Sequence, residues 1–165
     1  MADTQDDATA LVERLEAELR DVTIVRFGHD DAWWLGTWVW RVAAERDLPV
    51  VVDVRRGEHQ LVHASRPGTC ADNDGWVERK VRTVRRFGTA SYVVGRRLAA
   101  KGQTLADYGL DPARYATAGG CVPVVVDGAG AVGTLAISGL PQADDHALAL
   151  EALRALRAAQ EAGEV

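Results

Sequence analysis

Apolar positions recur along this chain at two spacings, every three to four residues in some stretches and every second residue in others. The changes between the two periods predict its elements. Residues 6–20 place Ala8, Leu11, Leu15 and Leu19 on one helical face. His29, Asp30 and Asp31 offer caps for a second helix that runs to Arg46 and stops before Leu48 and Pro49. Residues 49–56 and 60–65 read as strands joined by a hairpin turn at Gly57–Glu58, and Arg66, Pro67 and Gly68 end the hairpin. Asn73 or Asp74 is placed to cap a long helical stretch to Lys101, bent or broken near Gly88. Residues 105–115 form a connector with one helical turn at Asp111 and Pro112. Residues 122–126 and 131–138 make a second hairpin, and residues 142–161 a closing helix with Asp144 and Asp145 in its first turn. This order predicts an α+β fold with helices flanking a sheet.

Composition narrows the class. The 165 residues are 47% hydrophobic and 26% charged, which excludes a disordered chain and suits one domain over residues 6–162 behind a flexible tail at 1–5. No apolar run reaches the roughly 18 residues of a membrane span, and residues 1–10 lack the apolar core of a secretory signal. Cys70 and Cys121 stand far apart, in no spacing that suits a disulfide framework or a zinc site. These features predict a cytoplasmic protein. No glycine-rich phosphate loop follows a strand. The net charge of −5 argues against nucleic acid as a partner. Yet residues 73–101 hold eight basic residues against two acidic ones, a basic segment that calls for either a salt-bridged face or an anion site.

Helix geometry singles out residues. From Asp74 onward, Trp76, Val77, Val81, Val84 and Phe87 share one face, and Arg79, Arg82 and Arg86 the opposite one. Lys80 falls with the apolar residues, so it either snorkels to the edge or is buried against a partner or ligand. Of the five tryptophans, Trp33, Trp34, Trp38 and Trp40 surround the second helix on more sides than a small core covers, which predicts a subunit interface. His146 lines up with Leu150 and Leu153 and reads as a satisfied core histidine, kept neutral by the helix N-terminus. His63 ends the second strand, where sites collect; His29 and His59 are weaker candidates. Cys121 reads as core, and Cys70, before a helix N-terminus, as a thiol open to redox chemistry.

The stretch HASRPGTCADNDGWVERKVRTVRRFG (63–88) resembles the Pro–Gly–Thr-x-x-Asp–Asn-x-x-Trp-x-x-Arg–Lys signature of the heme-degrading domain-containing proteins, within a superfamily that includes the GlcG and HbpS proteins. GGCVPVVVDGAGAVGTLAISGLPQADDHALAL (119–150) resembles the second signature of that family, and DAWWLG (31–36) and LPVVVDVRRG (48–57) also fit. The resemblance spans residues 6–158. It implies a profilin-like antiparallel sheet with helices packed on it, and homo-oligomers built from dimers. It also implies heme as a possible cofactor, since some relatives bind or degrade heme, while a fungal relative is associated with tail-anchored protein targeting. It places no axial iron ligand on this sequence.

Three functions follow as expectations. The first is a homo-oligomeric protein that binds heme or a small anionic ligand at His63, Asp72, Asn73, Arg79, Lys80 and His146. Arg79 and Lys80 would pair with carboxylates, and His63 or His146 would ligate iron or move a proton. Adjacent in the helix, Arg79 and Lys80 point about 100° apart, which sets them against a shared pocket. The second is an enzyme acting on a small organic acid, with Asp72, Asp74, His63 and Lys80 as acid, base and cation. Helix capping is the competing role for Asp72–Asp74, and no motif specifies a reaction. The third is a non-catalytic scaffold or chaperone partner that docks others on its tryptophan-rich helix.

Overall fold

The valine-rich run after Pro49 becomes β1 (Val51–Arg56), buried along all but its last residue. Gly57, at φ 57°, supplies the left-handed turn that returns the chain into β2 (His59–Ser65). β3 (Cys121–Val126) and β4 (Gly130–Ser138) form the second hairpin. β4 also pairs with β1, so the sheet runs β2-β1-β4-β3, antiparallel throughout. A bulge opposite Val54 and Arg55 leaves Leu61 as an extra residue on the edge strand β2. This computed structural model describes the backbone of residues 2–165 and the side chains of residues 7–165. The first helix, α1, is Ala2–Arg20; the expected tail at 1–5 falls on residues whose side chains lie outside the described ones.

Strand alternation sorts the sheet into two faces. Val50, Val52, Val54, Val122, Val124, Leu135 and Ile137 enter the main core beneath α2 (His29–Glu45) and α5 (Gln142–Ala162). The residues between them face α3 (Ala71–Phe87) on the other side, where Val51, Cys121 and Ala136 meet Val77, Val81 and Val84. α4 (Ser91–Ala100) packs against α1. The arrangement is the expected α+β sheet flanked by helices. Among the described residues, no helix is long and apolar enough to cross a membrane.

The helix ends show where local chemistry departs from the expected caps. α3 begins at Ala71, ahead of Asn73 and Asp74, because the Asn73 side chain reaches back and accepts the Cys70 N–H at 2.9 Å. Gly88, at φ 67°, then ends α3 and separates it from α4, so the long helical stretch is broken where expected. α2 starts at His29 itself, with the Gly28 N–H donating to Asp31 Oδ2 at 2.7 Å. The connector carries the expected turn at Asp111 and Pro112, where the Asp111 carbonyl accepts from Arg114 N at 2.9 Å and Tyr115 N at 3.0 Å, and a second one at Leu105–Tyr108, where Asp107 accepts both the backbone and the hydroxyl of Thr104. Near the end of α5, buried Gln160 accepts from Val25 N and donates to Arg26 O and to Asp31 Oδ1. These bonds pin the start of α2 to the end of α5.

Leu135 is fully buried at the centre of the sheet. Leu135→Ala is expected to lower unfolding stability by about 2–5 kcal/mol in urea titrations at unchanged m-value, through lost burial and the cavity left behind.

Candidate functional site

Lys80 lies on the face of α3 turned to the sheet and is 2% exposed. Its ammonium donates to the Ile137 carbonyl at 3.0 Å and to Asp145 Oδ2 at 3.1 Å. Asp145, in the first turn of α5, also accepts the Leu140 N–H at 3.0 Å and the Gly139 N–H at 3.4 Å. Burial lowers the Lys80 pKa below the usual lysine value and raises that of Asp145 above the usual carboxylate range; their mutual attraction opposes both shifts. Gly120, at φ 121°, makes room for the pair, since a Cβ there would sit 2.9 Å from the Lys80 Nζ and 2.2 Å from the Ile137 oxygen. Of the two readings of Lys80, the chain takes burial against a partner over snorkelling, and Asp145, eight residues past Ile137, is that partner.

The pair forms one wall of a cleft of about 410 Å³ between the N-terminal ends of α3 and α5. Asn73 and Trp76 of α3, Gly119, Ser138 at the end of β4 and Gln142 of α5 line the rest. Arg79 does not line this cleft: its guanidinium stacks 4.0 Å from the Trp76 ring. Asp72 also stands outside the lining, with its Oδ2 accepting the Trp76 indole N–H at 3.0 Å. Of the six expected ligand residues, Asn73 and Lys80 thus share the cleft, and Arg79 and Asp72 bracket its tryptophan wall.

His63 belongs to a neighbouring network on the same face of the sheet. Its Nδ1 lies 3.0 Å from Asp53 Oδ2 and its Nε2 3.2 Å from Asp74 Oδ1, so the ring bridges two carboxylates. Asp53 is fully buried and also accepts from Arg55 Nε at 2.6 Å and Gln60 Nε2 at 2.5 Å. Arg55 in turn pairs with Glu78 of α3. Asp53, Arg55, Gln60 and Glu78 escaped the sequence reading. An aspartate inside a valine run signals nothing by spacing, and only the antiparallel register brings His63 opposite Asp53.

His146 takes a third position, away from the cleft. It is 3% exposed, its ring stands 5.2 Å from that of Tyr92, and neither nitrogen has a hydrogen-bond partner among the described residues. It is a core histidine as expected, but not a satisfied one. Burial, reinforced by the nearby Arg154 charge, lowers its pKa to about 4. Cys121 is buried, which pushes its thiol pKa up and makes it an inert core residue; Cys70 is exposed. Trp33 is 64% and Trp40 37% exposed, Arg66 stands 5.3 Å over the Trp40 ring, and Trp34 stacks on Trp38 with centroids 6.5 Å apart.

Against known proteins, residues 27–154 match the family described as haem degrading protein HbpS-like. A UPF0303 protein of Streptomyces avermitilis is 50% identical over 143 residues, covering 86% of this chain and 88% of that one. A UPF0303 protein of Zymomonas mobilis is 42% identical over 149 residues, covering 90% and 78%. The crystal structure of the Ybr137w protein superposes with a TM-score of 0.84 at 28% identity, covering 94% of this chain and 95% of that one. A PduOC–heme complex superposes with a TM-score of 0.67 at 22% identity, covering 79% and 95%. At that identity the latter likeness is one of fold.

His146 makes the stability of the fold sensitive to acid. The folded ring takes a proton only near pH 4, whereas an unfolded histidine takes one near 6.5. Between these values the unfolded chain binds more protons, so stability is complete above pH 6.5 and is lost as pH falls toward 4. This group alone is expected to remove about 3 kcal/mol by pH 4. His146→Leu is expected to flatten that dependence in urea titrations across this range.

Proposed function

Since the chain belongs to the haem-degrading, HbpS-like family, we propose that it is a ligand-binding protein that assembles with copies of itself and holds a small organic anion in the cleft over Lys80. The carrying observation is the Lys80 ammonium. Of its three N–H donors, the Ile137 carbonyl and Asp145 take two, and the third has no acceptor among the described residues. Trp76 offers a flat wall for the ligand, and the cleft opens at the N-terminal end of α5, where backbone amides carry partial positive charge. A carboxylate there would meet both a cation and a helix terminus.

Family membership keeps heme among the candidate ligands. The residues of the cleft do not fit it. No imidazole, thiolate, thioether or phenol lines the space, and its one carboxylate is held by Lys80. Both nitrogens of His63 already face carboxylates, and His146 is enclosed in the core. The cleft therefore suits a ligand smaller than heme, recognised by charge and hydrogen bonding.

Isothermal titration with glycolate, malonate and succinate is expected to give saturable binding for at least one of them, weakened about tenfold or more by Trp76→Ala. Hemin is expected to give no saturable Soret band. Saturable one-to-one hemin binding without carboxylate binding would overturn the reading.

Assembly is carried by the exposed Trp33 and Trp40 on α2, since aromatic rings in water are typical of interfaces. Sedimentation velocity is expected to give an oligomer, and Trp33→Asp with Trp40→Asp to lower it to a smaller species. A monomeric parent protein would sink this part of the proposal.

A further inference from the structure

The outward face of α3 carries a second concavity that shares no lining residue with the cleft over Lys80. It measures about 390 Å³ and is lined by Glu58 of the β1–β2 turn, by Arg82, Arg85 and Arg86 of α3, and by Arg114 and Tyr115 of the connector before β3. Four guanidinium groups thus face one carboxylate in a chain whose net charge is −5.

The internal ion pairs do not neutralise this charge. Arg85 uses Glu58, at 2.7 Å, and the Gly57 carbonyl. Arg82 reaches Glu78 at 3.6 Å, but that carboxylate is already bound by the buried Arg55, and Arg82 otherwise donates to the Arg114 carbonyl at 3.3 Å. The side chains of Arg86 and Arg114 are exposed and have no hydrogen-bond or ion-pair partner among the described residues. Like charges gathered in a concave space raise the local potential and concentrate anions. Guanidinium forks suit the several terminal oxygens of a phosphate group better than a single carboxylate, and forks from two opposing walls suit it better still. Arg82 and Arg86, one helical turn apart, form one wall, and Arg114 the other. Tyr115, packed against the cluster of Val94, Leu98 and Leu105, borders the same space.

The geometry points to an anion site in this cleft for the phosphate group of a small phosphorylated molecule, held by Arg82, Arg86 and Arg114. It is independent of whatever occupies the cleft over Lys80. The positive segment of α3 is then divided by face: its inner lysine, paired with Asp145, borders the cleft over the sheet, and its outer arginines border this one.

Titration calorimetry of the full chain with inorganic phosphate and pyrophosphate tests this. Saturable binding of pyrophosphate at one site per chain is expected, weakening as salt is added. Arg86→Gln with Arg114→Gln is expected to weaken it about tenfold or more. These side chains make no hydrogen bond or ion pair among the described residues, so an unchanged melting curve checks that the variant is intact. Lys101→Gln, outside the cleft, and Trp76→Ala, in the other cleft, are both expected to leave pyrophosphate binding unchanged. Unsaturable binding to the parent chain, equal binding by the double variant, or loss of binding in Trp76→Ala would overturn the assignment. So would a double variant that changes only the sedimentation of the protein, since that result makes the patch a subunit contact.

Discussion

Lys80 carries its charge into the seam where α3, the end of β4 and the start of α5 converge, and Asp145 and the Ile137 carbonyl receive it there. A lone charge at that depth costs several kcal/mol, so the three elements cannot slide or separate without stranding one partner. Asp145 is itself fixed by the amides of Gly139 and Leu140, which ties the β4–α5 turn to the same point. Gly120 completes the constraint from β3's side, because any side chain there would strike both partners. The cleft is a by-product of this convergence. Its shape depends on helix ends that the ion pair holds in place.

The face of the sheet under α3 departs from an ordinary core in a second way. Valines that would close it completely give way to Asp53 and Arg55 in the middle of β1. Their pairing with His63, Gln60 and Glu78 satisfies both charges and fixes the position of α3 by directional contacts. Apolar packing alone would tolerate small shifts of a helix on a sheet; hydrogen-bonded charges do not. The opposite face, under α2 and α5, is apolar and relies on close packing.

Much of this was legible from periodicity. The hairpins, the break at Gly88 and the apolar face of α3 follow from spacing, because residues on one face are near neighbours in sequence. Lys80 stood out by the same rule, as a charge among valines. What spacing could not supply was the partner. Asp145 reads as a helix-start aspartate, favourable for its own reasons, and nothing local links it to a lysine 65 residues earlier. His63 and Asp53 meet only through strand register. His146 shows the limit from the other side: its burial was readable, but an empty hydrogen-bonding shell is a property of its neighbours, Tyr92 among them.

The strand order has a consequence for how the chain reaches this structure. Each hairpin joins neighbours in sequence, β1 to β2 through Gly57 and β3 to β4 through a turn before Gly130. The central seam pairs Val51 with Ser138, across about half of the chain. Closing so long a loop must be achieved before its contacts reward it, so the two hairpins have the kinetic advantage and the seam is the slow step. A ribosome must release β4 before the sheet has a middle. Until then, the edge of β1 that β4 will pair keeps its backbone N–H and C=O groups without a strand partner, and the packing of α2 covers only its apolar face.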